Sequence, residues 1–237
     1  MKLILAALLL SSVTLPSIAA SYYQSRPDDA KAVYLTPDRF PVRGDGQADD
    51  SEALQAAVDR VQETSSEGIV FVPQGRYRLT RTIYIWPGIR VIGYGPQRPV
   101  FLLADNTPGF QKGIGTMVFF AGFRMRGASG FRLPPPPPGT VPPNPNIADS
   151  NPGTFYSAMS NIDFEIGSGN AGAVAIRSHF AQHGYLAHMD FRTGSGLAAL
   201  HDVGNLGQDL HFFGGRYGIL TRKPSAAWQY TLLDSTF

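Results

Sequence analysis

Asp163-Phe164-Glu165-Ile166-Gly167-Ser168-Gly169 recurs 27 residues later as Asp190-Phe191-Arg192-Thr193-Gly194-Ser195-Gly196. Weaker copies follow as Asp209-Leu210-His211-Phe212 and Asp234-Ser235-Thr236-Phe237, 25 residues apart. A second series runs beside the first: Val174 to Arg177, Ala198 to His201 and Ile219 to Arg222, in steps of 24 and 21. Two interleaved series with one shared period are two faces of a stacked coil, the pattern of a solenoid. Phe164, Phe191, Phe212 and Phe237 then form an inward aromatic stack. The last copy ends at Phe237 with no terminal cap, so the sequence reads as a truncated stack.

Upstream of the repeats the chain is strand and turn. Ile69-Val70-Phe71-Val72 stops at Pro73 and Gly75, Thr82-Ile83-Tyr84-Ile85 at Pro87-Gly88, and Arg90-Val91-Ile92 at Gly93-Tyr94-Gly95; Val100-Phe101-Leu102-Leu103 follows. Short continuous apolar runs suit strands buried in parallel sheets. They are too close together for intervening helices, and Val70 and Val91 lie 21 residues apart, about one coil. Residues 104–160 break the period. Met117 to Phe123 is a strand candidate, but Pro134 to Pro138 is a run of five prolines, which gives a polyproline II excursion between coils. The 161–237 segment returns to the repeat.

One helix is expected. Gly44-Asp45-Gly46 makes a tight turn, Asp49 stands at the N-cap with Glu52 at the capping-box distance, and Leu54, Ala57, Val58 and Val61 form one apolar stripe. The helix is placed over the open end of the stack. Residues 21–43, punctuated by Pro27, Pro37 and Pro41, make an extended lead-in.

Among 237 residues there are 26 Gly and 19 Pro, which favours turns over long helices. Met1 to Ala20 reads as an export signal: Lys2, an apolar run from Leu3 to Leu10, and Ser17-Ile18-Ala19 before cleavage. The expected destination is secreted or periplasmic. The formal charge of +2 includes Lys2, and no Lys/Arg run exists, so nucleic acid is a poor partner. The apolar run is too short to span a bilayer, and no later segment qualifies. With no cysteine, neither disulfides nor thiolate metal sites are available. No cofactor is implied, and nothing in the pattern fixes an oligomeric state.

Gly44-Asp45-Gly46-x-x-Asp49-Asp50 with its helix, Val72-Pro73-x-Gly75-x-Tyr77, and Ile92-Gly93-x-Gly95 together resemble the N-terminal signature of the pectate lyase superfamily. That superfamily includes rhamnogalacturonase-like and exo-β-1,3-glucanase-like enzymes and tailspike-like proteins. The resemblance covers roughly residues 38–103. It implies an all-β, single-stranded right-handed parallel β-helix with an N-terminal capping α-helix, export, and a polysaccharide partner. It leaves hydrolase, lyase and non-catalytic adhesin open.

Site candidates follow from strand alternation. With the phenylalanines inward, Asp163, Glu165, Asp190 and Arg192 point outward. Asp163 stacked on Asp190 is a like-charge pair suited to acid–base work; about 5–5.5 Å between carboxylates would fit a retaining glycosidase. Glu165 over Arg192 gives a cross-rung ion pair. Arg177, His201 and Arg222 would stack as a cationic strip able to act as a base or hold an acidic sugar. All five histidines, His179, His183, His188, His201 and His211, fall within 33 residues. His179 and His183 would hold zinc only on a helix, and a turn is expected there. Tyr84, Trp86 and Trp228 offer faces for sugar rings, with Arg192 and His211 as further substrate contacts. Asp45, Asp49 and Asp50 read as turn and cap residues with Gly44 and Gly46, rather than a calcium loop. Polysaccharide cleavage is the expected activity. Hydrolysis is favoured over β-elimination, because the repeat face carries no clustered calcium carboxylates.

Overall fold

The computed structural model describes residues 20–122, 147–150, 154–221 and 229–237. The expected leader over 1–20 (apart from Ala20), the Pro134 to Pro138 run, Arg222 and Trp228 lie outside them.

The chain winds as a parallel β-helix with three faces. The first face stacks β1 (Val33–Tyr34), β3 (Gly68–Pro73), β6 (Ile89–Tyr94), β9 (Ala158–Ser160), the first half of β12 (Tyr185–Gly194), the first half of β14 (Asn205–Gly214) and β16 (Tyr230–Leu233). The second stacks β2 (Asp45–Asp49), β4 (Arg76–Arg78), β7 (Val100–Leu103), β10 (Asp163–Ile166) and the second half of β12, with the second half of β14 beyond it. The third stacks β5 (Ile83–Ile85), β8 (Gly115–Phe120), β11 (Ala173–Ser178), β13 (Ala198–Val203) and β15 (Tyr217–Leu220). Each pair of these strands is parallel, which suits continuous apolar runs with no polar alternate face.

The register explains the spacing of the apolar runs. On the first face Val33, Val70, Val91, Met159 and Leu186 lie one over another. On the second the column is Tyr77, Phe101, Phe164, Phe191 and Phe212. Ring centroids from Phe164 to Phe191, Phe212 and Phe237 are 5.6, 5.4 and 4.7 Å apart with nearly parallel planes, so the inward stack is present. Phe101 and Tyr77 extend it with edge-on contacts.

The corner between the first two faces is one residue wide. Asn161, His188, Asp209 and Asp234 occupy it in successive coils, at φ 57°, 57°, 52° and 49°. Asn, Asp and His enter this left-handed region more readily than other side-chain-bearing residues. One coil earlier the same column holds Gly93, where an added Cβ would sit 1.9 Å from the Asn161 carbonyl oxygen. Asn161 donates from Nδ2 to the Gly93 carbonyl at 2.8 Å and ties in the lead-in by accepting from the Tyr22 N–H at 2.8 Å.

Helix α1 (Ser51–Thr64) takes the place of a third-face strand before β5. It buries Leu54, Ala57, Val58 and Val61, the predicted stripe. The cap differs from expectation. Asp50, not Asp49, is the N-cap residue, and no side chain caps the helix. The Asp50 carboxylate turns back to accept from the N–H groups of Arg43 and Gly44, at 2.7 and 3.0 Å. Two charge-assisted bonds in the glycine turn outcompete one cap bond. Asp49 accepts from Ser51 and from Thr80 Oγ1, bracing the helix start against the first coil, and Asp45 accepts from the N–H groups of Gln47 and Ala48 as an Asx-type turn.

Two further details depart from the sequence reading. Strands β8 and β9 belong to the stack, so the Pro-rich excursion leaves after β8 and returns at β9, a shorter segment than 104–160. On the third face Ala198 and His201 lie over Tyr217 and Leu220, a step of 19 residues rather than 21. Leu220 therefore occupies the place expected for Arg222.

Candidate functional site

The second face carries a chain of ionisable side chains from its interior to its rim. Asp163 and Asp190, adjacent in stacked coils, are 4% and 3% exposed. Arg98, from the Gly95–Pro99 turn of an earlier coil, covers both, with one guanidinium nitrogen 2.9 Å from Asp163 and 3.2 Å from Asp190. Asp163 also accepts from the Asp190 backbone N–H at 2.8 Å. Burial raises the Asp163 pKa and the Asp190 charge adds to this, while Arg98 pulls the other way; the net shift is upward. The pair is brought together as expected, but it is clamped under an arginine rather than open to a substrate.

Glu165 and Arg192 are in register yet choose other partners. Glu165 takes Arg76 in a two-pronged contact at 3.1 and 2.5 Å, and Arg192 takes Asp190 at 2.8 Å. Two carboxylates on one side attract Arg192 more than the single Glu165 does. The Arg76–Glu165 pair is largely exposed and worth about 1 kcal/mol or less.

At the rim the groups open to solvent. His211 places Nδ1 3.0 Å from Asp190 and Nε2 3.4 Å from Asp209, and His188 places Nδ1 2.8 Å from the other Asp209 oxygen. The His211, Asp209 and Arg192 side chains are each about a third exposed. Tyr22 stacks on His188 at 4.4 Å, and the Arg192 guanidinium lies 5.4 Å over the exposed ring of Phe213. An imidazole held between two carboxylates, next to a cation and an open aromatic face, is equipped to move a proton beside a bound sugar.

The third face carries a second, closed cluster. Arg177 is 1% exposed and bonds the Asp149 carboxylate at 3.2 and 2.7 Å, His201 Nδ1 at 3.1 Å, and Asp202. His179 lies 3.1 Å from Asp149. Burial disfavours the Asp149 carboxylate, but His179 and Arg177 outweigh it and hold its pKa below the usual range. Arg177 and His201 are in register as expected. Arg177 is engaged by Asp149 of the returning excursion and by Asp202, and His201 is buried against Arg177, so they do not form an open cationic strip.

Trp86 is buried beneath α1, with Nε1 donating to Asp59 at 2.7 Å, and Tyr84 packs half-buried against Trp86 and Phe119. These two rings join the helix to the first coil and offer no sugar platform. Trp86→Phe is expected to cost about 1–3 kcal/mol in urea unfolding through loss of that bond, leaving glycan binding unchanged. His183 sits in a turn at φ 63°, not on a helix with His179. Among the described residues no group of three or more potential ligands is set to hold a metal ion.

The repeat pattern does not mark Arg98, Asp149, Asp202 or Phe213. Arg98 and Asp149 come from segments present in one coil only, which a repeat cannot reveal. Asp209 stood in the third copy of the repeat and was readable there.

The profile of the family described as Rhamnogalacturonase A/epimerase, pectate lyase-like, matches residues 38–237. A glucan 1,3-beta-glucosidase of Cochliobolus carbonum is 46% identical over 50 residues, 21% of this chain and 6% of that protein. Alginate lyase 7 of Azotobacter vinelandii is 32% identical over 74 residues, 28% of this chain and 8% of that protein. The matched stretches thus span under a tenth of either relative's length. The A-module of a mannuronan C-5 epimerase of Azotobacter vinelandii is similar in structure, with a TM-score of 0.49 and 14% identity over 86% of this chain and 56% of that chain.

Proposed function

Because the chain belongs to the rhamnogalacturonase A/epimerase, pectate lyase-like family, we propose that it is an exported protein that binds a polysaccharide along the second face and transfers a proton at the His211–Asp209 rim. The observation that carries this reading is the partly exposed His211, set between Asp190 and Asp209 beside Arg192. Abstraction of a proton next to a uronate needs a base, a returning acid and a cation near the sugar carboxylate. His211, Asp209, His188 and Arg192 supply those types. Hydrolysis by a carboxylate pair is less well served, since Asp163 and Asp190 are both held by Arg98. β-Elimination or epimerisation of a uronate polymer therefore stands ahead of glycoside hydrolysis. The match to an alginate lyase supports a uronate; the match to a glucosidase supports a glucan. Export rests on the Met1 to Ala20 pattern.

A purely binding solenoid is the second reading. It draws on the same clamped carboxylates, which leave no open two-acid centre among the described residues of the second face.

The test is incubation of the full chain with alginate, homogalacturonan and a soluble β-glucan. An unsaturated, ultraviolet-absorbing product or an altered uronate configuration is expected. His211→Ala should lower kcat by about 10²–10⁴ with an unchanged circular dichroism spectrum. New reducing ends without an unsaturated product would replace elimination by hydrolysis, and no change in any polymer would leave the binding reading.

A further inference from the structure

We infer that a neutral glycan chain docks along the opposite edge of the stack, where the first face begins, in a groove separate from the His211–Asp209 rim. Two open cavities lie on this edge. One, of about 430 Å³, is lined in part by Arg90 and Tyr156; the other, of about 640 Å³, by Gln182, His183, Tyr185 and Gln229. Tyr156 and His183 join them, with ring centroids 5.0 Å apart and planes within 9°.

The tyrosine half of the joint is built against local preference. Tyr156 and His183 both have φ near 60° without being glycine, and both are exposed, Tyr156 at 46%. Such backbone positions persist only where neighbours hold them, and they concentrate at binding sites. Here the Tyr156 N–H donates to the Gln182 carbonyl at 3.3 Å, and Arg90 donates to the Tyr156 carbonyl at 3.4 Å. The result is a fixed pair of stacked rings presented to solvent.

The chemistry of the lining selects the ligand. Aromatic faces cover the C–H face of a pyranose. The amides of Gln182 and Gln229 both donate and accept, which matches sugar hydroxyls, whereas a carboxylate asks only for donors. Among the described residues the second cavity is lined by no Asp, Glu, Lys or Arg, and the first sets Lys31 and Arg90 against Asp29 and Glu67. Among these described residues the charges balance, so they do not favour a polyuronate over a neutral chain. Lining residues come from the levels of β3 through β16, six stacked levels, so the groove runs about 24 Å along the axis at the usual strand spacing. A chain of sugars fits that shape better than a single one. Such a groove would hold the protein on a neutral glycan matrix while the opposite edge works on another polymer.

Affinity electrophoresis of the full chain through gels containing a soluble neutral β-glucan tests the groove. Retardation is expected, insensitive to salt, and at least fivefold weaker for Tyr156→Ala, whose exposed ring is not needed for folding. His183→Ala should weaken it similarly, and His211→Ala should leave it unchanged. Unretarded wild type, equal retardation of Tyr156→Ala, or retardation by polyuronates alone would overturn the groove. Chemistry at the rim is read separately by product formation: retardation lost in Tyr156→Ala, with no product from any polymer, supports the groove and refutes only the proposed chemistry.

Discussion

Replacing Arg98 with Met is expected to lower the unfolding free energy at pH 7 by about 3–5 kcal/mol, the usual cost of removing one partner from a buried ion cluster. Arg98 is 7% exposed and serves two carboxylates that are less exposed still. Without it, Asp163 and Asp190 remain side by side, and burial and the Asp190 charge, now unopposed by Arg98, both raise the Asp163 pKa. Asp163 already lies above its ordinary 3.8 in the intact protein. A carboxyl whose folded pKa is raised is fully tolerated below its unfolded pKa and costs stability as pH rises through the folded value. The deficit of Arg98→Met is therefore complete at neutral pH and shrinks as pH falls toward 3.8. Urea midpoints of the two proteins between neutral pH and pH 4 would reveal it. Adding Asp163→Asn to Arg98→Met should recover part of the loss. A loss under about 1 kcal/mol at neutral pH would mean that water reaches the carboxylates and that they remain available for chemistry.

What the sequence could express about this fold is what repeats. The 21-residue step from Val70 to Val91 is one coil, and the phenylalanine column is continuous, because inward positions must be apolar in every coil. The third-face step differs from the repeat reading by two residues: Tyr217, not Ile219, pairs with Ala198. A strand slipped by two keeps every side chain on its own face, so the pattern is blind to that error, although it would expose a slip by one. The site was less legible for a different reason. Alternation correctly turned Asp163 and Asp190 away from the core, yet their burial depends on Arg98, sixty-five residues before Asp163 and present in a single turn. The same holds for Arg177, whose open strip is closed by Asp149 from the returning excursion. Asp49 and Asp50 show the local limit: two adjacent acids both satisfy a capping motif, and only the nearby glycine turn decides their roles.

Leu54→Asp should be the most damaging single change outside the polar clusters, at about 5 kcal/mol or more. Deleting a buried leucine costs about 2–5 kcal/mol, and an unpaired buried carboxylate adds to that or takes up a proton to avoid it. Leu54 is fully buried on α1, among side chains of the common core. The helix also does what the missing strand would do for β5: Gln55 accepts from the Tyr84 N–H at 2.8 Å and donates to the Tyr84 carbonyl at 3.1 Å. Lifting α1 thus uncovers both the end of the core and an unpaired strand edge. In a stack whose coils contact only their neighbours, damage at the cap spreads inward from that end. Hydrogen exchange should show protection lost first in β3 and β5, then β8, while β11 and β13 hold longest. Leu54→Met, which keeps the volume, should cost less than about 1.5 kcal/mol. Uniform loss of protection across all coils in Leu54→Asp would instead mean that the β-helix unfolds as one cooperative unit, with α1 as part of its core rather than a lid on it.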